Sequence, residues 1–326
     1  MIKKVVTHSI AFVLGIIVCT VVGVYAASTL SSSSVYYDNS TSGGTSTNVA
    51  GALDELYSKS KLKNRSNIVE AYTYNQTSGT SNYCVTGDEE TCVETKCYES
   101  TTAGSCPAGT IIIYKVNENE IVRFHVMYDN GATLTMQSQR NTIYNTQWID
   151  KADYAIENTD GTSCSYTACN DEGPITILEA LESATAGWSN VKPQTYTMGT
   201  TIFKTNAYTG CYPADTCDKN IYTLPQRTAK ARMITVQEAL NLGCAENNKN
   251  CPIWMYNYLT NSKSNGGTID DSNNGPNGTG NTGYWMLNGY TSYAYFAWYV
   301  YYDSYVHYYY LDHNAFGARA VVEINK

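Results

Sequence analysis

Tyrosine dominates the C-terminal part of this sequence. The 326 residues contain 30 Tyr but only 5 Phe and 5 Trp, and eleven of the 27 residues from Tyr284 to Tyr310 are Tyr. A phenol ring stacks like an apolar group but also forms hydrogen bonds, so it can face water or a ligand. Tyr rings interspersed with small polar residues are typical of antibody binding loops. The stretch therefore predicts a binding surface rather than an ordinary core.

The same stretch predicts two strands joined by a turn near Asp303 and Ser304. Successive side chains of a strand point to opposite faces of the sheet. Four positions are interpreted as scaffold: Ala297, Trp298, Val300 and Val306. Four others are expected to alternate onto the opposite, ligand-facing side: Tyr299, Tyr301, Tyr305 and His307. We therefore expect one Tyr-rich face on this pair of strands.

Few residues of this sequence suggest catalysis. Of the four His, His125 lies in an apolar strand pattern and is interpreted as structural, while His307 and His313 are six residues apart, which suits no common metal geometry. No GxSxG or phosphate-binding loop occurs. Asp270 and Asp271 could hold a cation, but a solvated loop is the preferred interpretation. The sequence thus predicts a protein that is not an enzyme and has no cofactor or metal.

The cysteines predict disulfides. Cys19 lies in an apolar N-terminal run, and the other ten Cys are interpreted as structural. Three pairs are suggested by spacing alone: Cys164 with Cys169, Cys211 with Cys217, and Cys244 with Cys251. Pairing among Cys84, Cys92, Cys97 and Cys106 is ambiguous, with neighbours (84 with 92, 97 with 106) favoured. A zinc site is the rival interpretation, but the sequence has no CxxC or HxxxH pair.

The N-terminus predicts export. Residues 1–27 combine Lys3 and Lys4 with a long apolar run that ends in a small-residue site, Val24-Tyr25-Ala26. The run is long enough either for a cleaved signal peptide or for an uncleaved signal-anchor, which would hold the chain at the membrane. Both alternatives place the remaining chain outside the cell, at the cell surface or secreted.

Composition limits the partners. Lys plus Arg number 21 against 29 Asp plus Glu, which gives a formal net charge of -8 and a pI near 5.0. Such a balance argues against a broad basic face, so no nucleic-acid partner is expected.

Between the N-terminus and the Tyr-rich stretch, the patterns predict a spacer and then an α+β domain. Residues 28–65 hold a Ser/Thr/Gly-rich spacer and a short helix beginning after Asn48, which either docks on the main domain or associates with copies of itself. Residues 66–106 are Cys-rich. From Ile111 to Ser138 three strands follow with turns at 117–119 and 129–131. Helices are predicted after Pro174, after Thr235 with Glu238 completing a capping box, and over 253–259. Residues 261–282 are expected to form a surface loop, and the segment ARAVVEI a buried strand.

The C-terminal residues also carry a resemblance. Tyr284-Trp285, Ala297-Trp298-Tyr299-Val300 and the run Gly317 to Val322 resemble the end of C-type-lectin-fold proteins related to the formylglycine-generating-enzyme domain. More narrowly, they are similar to variable proteins of diversity-generating retroelements in gut Firmicutes and to their unmutated paralogues. Leu224-Pro225-Gln226-Arg227 resembles the segment that leads into a helix of that fold. Ser304 departs from the Gly that such sequences often carry before Tyr-Val.

This resemblance covers residues 107–326 and implies a C-type-lectin-like domain whose variable-type region is 284–316. It implies a ligand-binding face made of ten aromatic residues: Tyr290, Tyr293, Tyr295, Tyr299, Tyr301, Tyr302, Tyr305, His307, Tyr308 and Tyr310. Polar contacts are added by Asp303, Asp312 and Asn314. The calcium-binding EPN and WND motifs are absent and no Cys follows Cys251, so neither calcium-dependent sugar binding nor formylglycine-generating activity is expected.

Taken together, the sequence predicts an α+β chain with a C-type-lectin-like fold, made of twisted antiparallel strands and a few short helices after an N-terminal hydrophobic helix. Its expected function is display of a Tyr-rich, hypervariable-type face that binds a protein or glycan on another cell, phage or host surface. The alternative is a structural cell-envelope or pilus-like protein in which the same face mediates self-assembly.

Overall fold

A computed structural model describes residues 49, 52–53, 67–74, 84, 92–157, 168–198, 200–202, 221–223, 226–246, 250–265, 267, 281–290 and 293–326. The chain divides into two units, residues 1–63 and residues 64–326. In the first unit, Val49, Ala52 and Leu53 are helical, as predicted for this segment. The predicted signal peptide or signal-anchor, residues 1–27, and the Ser/Thr/Gly-rich spacer lie outside the described residues.

The second unit is built mainly from antiparallel strands. Its strands, in chain order, are β1 (Ile68–Tyr74), β2 (Cys92–Glu94), β3 (Ile111–Asn117), β4 (Glu120–Asp129), β5 (Thr133–Ser138), β6 (Gln194–Thr197), β7 (Thr200–Ile202), β8 (Ile221–Thr223), β9 (Gln226–Ala229), β10 (Gly283–Gly289), β11 (Phe296–Tyr301), β12 (Val306–Tyr310), β13 (Phe316–Gly317) and β14 (Val321–Asn325). Its helices are short: α1 (Lys151–Glu157), α2 (Ile175–Thr185), α3 (Val236–Asn241), α4 (Ile253–Tyr256), and single 3-10 turns at Cys97–Glu99 and Lys263–Asn265.

In the described part of the chain the strands form two larger sheets and two small ones. One sheet has the order β14-β5-β4-β3-β1-β2 with every pair antiparallel. The other has the order β12-β11-β10-β13, antiparallel except for β10 with β13. The two small sheets are the pairs β6-β9 and β7-β8. The α+β class and the largely antiparallel pairing are therefore as predicted.

Several local elements were predicted correctly, because residues close together in the sequence determine each of them. The predicted strands from Ile111 to Ser138 are β3, β4 and β5, and Gly131 in the second turn has φ +89°, a conformation that suits Gly. Helix α3 begins at the predicted capping box, in which Thr235 Oγ1 accepts from the Glu238 N–H while the Glu238 carboxylate accepts from the Thr235 N–H.

One large core joins the two larger sheets to α2. Apolar side chains of β3, β4 and β5 pack with Trp285, Ala297 and Phe316 of the four-stranded sheet, and helix α2 adds Leu178 and Leu181. A second cluster lies on the other side of the four-stranded sheet, where Tyr284, Val300 and Val306 pack with residues of α4. The four-stranded sheet is thus buried in part on both faces, which fixes its position.

Three predicted disulfides are present: Cys84 with Cys92, Cys97 with Cys106, and Cys244 with Cys251. Cys169 is also disulfide-bonded. Its predicted partner Cys164 and the predicted pair Cys211 and Cys217 lie outside the described residues. These bridges are typical of proteins that mature in an oxidising, extracellular environment.

The described residues contain neither a membrane-spanning helix nor a cluster of metal-binding side chains. Within these ranges no helix has the length and apolar character needed to cross a membrane. No three His, Cys, Asp or Glu side chains of the same ranges converge as a metal site would require.

Candidate ligand-binding surface

The Tyr-rich stretch folds as an antiparallel hairpin of β11 and β12. Its register pairs Phe296 with Tyr310, Trp298 with Tyr308, and Val300 with Val306. Between these pairs lie Ala297 opposite Tyr309 and Tyr299 opposite His307. Because residues directly opposite each other point to the same side, the hairpin separates its rings into two sets.

We call the first set the Phe316 cluster. Its rings are Trp285, Tyr299, Tyr301, Tyr302, Tyr305, His307, Tyr309, His313 and Phe316. At its centre the Tyr299 ring is stacked on Phe316 at 4.2 Å between centroids, and Trp285 meets Phe316 edge-on at 4.9 Å. This centre belongs to the large core.

We call the second set the Tyr308 cluster. Its rings are Tyr290, Tyr293, Tyr295, Phe296, Trp298, Tyr308 and Tyr310. The Tyr308 ring is stacked on Tyr290 at 3.7 Å, and Tyr310 is stacked on Tyr295 at 5.7 Å. All members except Tyr295 are half-buried or exposed, so this cluster forms a surface of neighbouring rings.

The register confirms that Tyr299, Tyr301, Tyr305 and His307 share one face of the hairpin, but the thirteen residues implied by the resemblance do not form a single face. The thirteen predicted residues do lie close to one hairpin, but strand alternation divides the rings between opposite faces of the sheet. Tyr290, Tyr293, Tyr295, Tyr308 and Tyr310 lie in the Tyr308 cluster. The remaining predicted rings lie in the Phe316 cluster.

Two of the thirteen predicted ligand-binding residues are buried. Tyr299 is 5% exposed and Tyr295 is 9% exposed. Tyr299 packs against both Phe316 and Trp285, and its burial raises the pKa of its phenol above the ordinary value. Tyr299 is therefore a core residue, because the large core on its face of the sheet extends as far as β11.

The other predicted residues reach the surface to different extents. Tyr310, Asp312 and Asn314 are exposed, and eight are half-buried: Tyr290, Tyr293, Tyr301, Tyr302, Asp303, Tyr305, His307 and Tyr308. The expected scaffold positions Ala297, Val300 and Val306 are fully buried. Trp298 is only half-buried and joins the Tyr308 cluster, so it is less a scaffold position than predicted.

Two phenols of the Phe316 cluster, those of Tyr301 and Tyr305, have a raised pKa. Burial raises the pKa of Tyr305 to about 12, and a hydrogen bond with Asp303 is the second-largest cause of this increase. The pKa of Tyr301 is also raised, mainly by burial and secondly by a hydrogen bond with Tyr302. These hydroxyl groups therefore stay protonated at neutral pH, and because each single proton is already engaged, they can accept a hydrogen bond from a ligand.

Asn170, which the sequence did not single out, holds the loop that carries Tyr290 and Tyr293. It is fully buried, and its Nδ2 donates to the carbonyl oxygens of Tyr290 and Phe296, both at 2.7 Å, and of Tyr293 at 3.2 Å. Its backbone N–H donates to Ala294 O at 2.6 Å. No sequence signal marks this Asn, because its acceptors are more than a hundred residues away.

The disulfide between Cys244 and Cys251 positions the hairpin turn. The Cys251 N–H donates to Ser304 O at 2.8 Å, and the Val306 N–H donates to Ala245 O at 3.4 Å. A local disulfide loop thus supports the turn between the two Tyr-rich strands.

Ser304 occupies this turn with φ +74°, a region that favours Gly. We expect Ser304→Gly to raise the free energy of unfolding by about 0.5–1 kcal/mol, because Gly removes the strain of a left-handed residue. Chemical denaturation would measure it. Ser183→Gly, at an exposed site inside α2, is the control and should have the opposite sign. Destabilisation by Ser304→Gly would contradict this account.

The described residues thus define an α+β protein with local disulfides and a ring-rich C-terminal hairpin. No protein-family model, no curated protein and no solved structure matches the chain.

Proposed function

We propose that this chain is an exported, surface-displayed binding protein that uses its C-terminal hairpin to bind a protein or glycan. The observation that carries the proposal is the Tyr308 cluster, in which six of seven rings are half-buried or exposed and pack edge to face or stacked against one another. Tyr rings held in this way offer a large contact area at little cost in side-chain entropy.

The α+β fold is compatible with this proposal but does not by itself identify a ligand. We extend the α+β assignment to a C-type-lectin-like domain over residues 107–326, related to the variable proteins of diversity-generating retroelements or their unmutated paralogues. In this proposal the two sheets and the buried residues of the hairpin are the scaffold, and the exposed rings are the positions that tolerate substitution. The local disulfides are consistent with work outside the cell.

The test is to replace exposed rings without disturbing the core. We expect the double variant Tyr308→Ala and Tyr310→Ala to weaken ligand binding by at least about tenfold, because Tyr residues at the centre of an interface often contribute 2 kcal/mol or more. The purified full-length chain would be applied to arrays of glycans and of cell-surface proteins, and signals compared between variants.

Tyr128→Ala is the matched control. Tyr128 lies on β4 in the other sheet and is 64% exposed, so its replacement removes an exposed Tyr ring that is not part of the hairpin. Equal signals from the double variant and the control would contradict the proposal. Concentration-dependent self-association that is lost in the double variant would instead support the self-assembly alternative.

A further inference from the structure

Strand β12 is an edge of the four-stranded sheet, since among the described strands β11 is its only neighbour in the sheet order. Two backbone bonds fix which of its residues face β11: the Tyr301 N–H donates to Tyr305 O, and the Leu311 N–H donates to Tyr295 O, both at 3.1 Å. In an antiparallel ladder such bonds recur at every second residue. The odd-numbered residues of β12 therefore bond to β11, and the even-numbered residues point away from it.

The even-numbered residues meet different environments. Val306 donates its N–H to Ala245 O, and it pairs with Glu246 as an isolated parallel bridge. Further along the strand, no group in the described part of the chain accepts the N–H of Tyr308 or of Tyr310. Their carbonyl oxygens accept from His307 Nδ1 at 2.9 Å and from the His313 N–H at 3.1 Å, which leaves each carbonyl one lone pair.

This open edge lies at the boundary of the two ring clusters. The side chain of Tyr310 is 44% exposed on the Tyr308 side, and that of Tyr309 is 38% exposed on the Phe316 side. A strand added at the edge would place its own side chains alternately beside these two sets of rings. Backbone pairing would supply affinity, and the rings would select side chains.

We propose that the ligand of this surface is an extended polypeptide segment that adds to the sheet along Tyr308 to Tyr310. The inference rests on the proposed binding function and names the chemical class of its partner. The segment accepts hydrogen bonds from the Tyr308 and Tyr310 N–H groups and donates to their carbonyl oxygens.

A second copy of this chain fits the edge poorly. Antiparallel self-pairing through Tyr308 and Tyr310 has its two-fold axis at Tyr309, which places Asp312 of a second copy opposite Val306. That place is already taken by Glu246, so the pairing brings two carboxylates and two backbones together at both ends. A separate peptide can end before this obstruction.

Charge also indicates the kind of peptide. Glu246 and Asp312 are exposed carboxylates at the two ends of the open edge, in a chain with a formal net charge of -8. We expect Lys or Arg at the ends of the bound segment, because opposite charges at a rim favour association.

The decisive comparison is Tyr308→Pro with Tyr308→Ala. Both variants lack the ring, but only Pro lacks the outward N–H, and Pro is tolerated on an edge strand where its nitrogen faces away from the ladder. A display library of short peptides with Lys at both ends is selected on the full-length wild-type chain, and the affinity of a selected peptide is then measured by fluorescence anisotropy. The Pro variant should bind that peptide about tenfold more weakly than the Ala variant.

A second measurement leaves the protein unchanged. The selected peptide is synthesised with N-methyl groups at either of its two alternating sets of amides. Methylation of the set that faces β12 should abolish binding, while methylation of the other set should leave the affinity within about twofold, because only alternate amides bond to a neighbouring strand. Equal effects of the two sets would overturn the inference, even if the Pro variant failed to fold.

Other outcomes separate this inference from the proposed function. Equal affinity of the Pro and Ala variants, or a wild-type chain that retains no peptide, would overturn strand addition. Glycan or protein binding that depends on Tyr308 and Tyr310 would then still support the proposed function. A dimer that Tyr308→Pro dissociates would show a second copy at the edge and would overturn the peptide as occupant.

Discussion

Tyr299→Ala should lower the free energy of unfolding by about 3–4 kcal/mol. The ring is 5% exposed, stacked on Phe316 at 4.2 Å and edge-on to Trp285 at 6.1 Å. Its removal takes away the free energy of burying the ring and leaves a cavity that the neighbouring strands cannot fill. The large effect follows from the position of Tyr299 on the core side of the hairpin.

Chemical denaturation of the two variants Tyr299→Ala and Tyr310→Ala tests this expectation. The same atoms are removed in both, but Tyr310 is 44% exposed, so its loss should cost less than about 1 kcal/mol. Tyr299→Phe should retain most of the stability, because the ring contacts remain. Similar losses for Tyr299→Ala and Tyr310→Ala would show that the hairpin is not buried on the Phe316 side.

Lys326→Met should cost about 3–5 kcal/mol, because it leaves the Asp129 carboxylate buried without its cation. The two side chains are 1% and 0% exposed, and Lys326 Nζ lies 2.9 and 3.1 Å from the two carboxylate oxygens of Asp129. The ammonium group also donates to Ser105 Oγ at 2.7 Å. This pair connects the end of β14 to the turn between β4 and β5 and to the Cys-rich segment.

The pH dependence of stability provides a second measurement. Burial by itself would raise the pKa of Asp129, but hydrogen bonds from the Cys106 N–H and from Lys326 hold the pKa below its ordinary value. A depressed folded-state pKa stabilises the protein above the unfolded value of about 3.9, and this contribution is lost as the pH falls further. The wild-type chain should therefore lose stability below about pH 4, and Lys326→Met should show a weaker dependence there.

Lys115→Met is the control for Lys326→Met. Lys115 forms an ion pair with Glu118 at 2.8 Å, but the Glu118 side chain is 81% exposed. Such a surface pair contributes less than about 1 kcal/mol. Equal losses in the two Lys variants would mean that the Lys326 pair is not excluded from water.

The sequence was sufficient where the determining interactions are local. The capping box of Thr235 and Glu238, the turn at Gly131 and the disulfide between Cys244 and Cys251 each depend on residues a few positions apart. The residue patterns alone were therefore enough to predict these three features. The hairpin of β11 and β12 was predicted for the same reason, because its turn and its alternation are short-range features.

The sequence was insufficient where distant segments decide burial. Alternation showed that Tyr299 and Tyr301 share a face, but not that this face lies against β3, β4 and β5. The role of Asn170 depends on carbonyl oxygens of the Tyr290 loop, and the partner of Lys326 lies 197 residues earlier in the chain. That the hairpin binds a ligand remains a prediction of the sequence and a proposal from the structure.

Because the hairpin divides its rings between two faces, the number of residues in this segment is more tightly constrained than the identity of each residue. A substitution at Tyr308 or Tyr310 changes one surface and leaves the core side intact. An insertion or deletion of a single residue in β12 would instead move every following side chain to the other face, and so exchange buried rings with exposed ones. Variation in this segment should therefore preserve the number of residues between Phe296 and Phe316, even where most of their identities change.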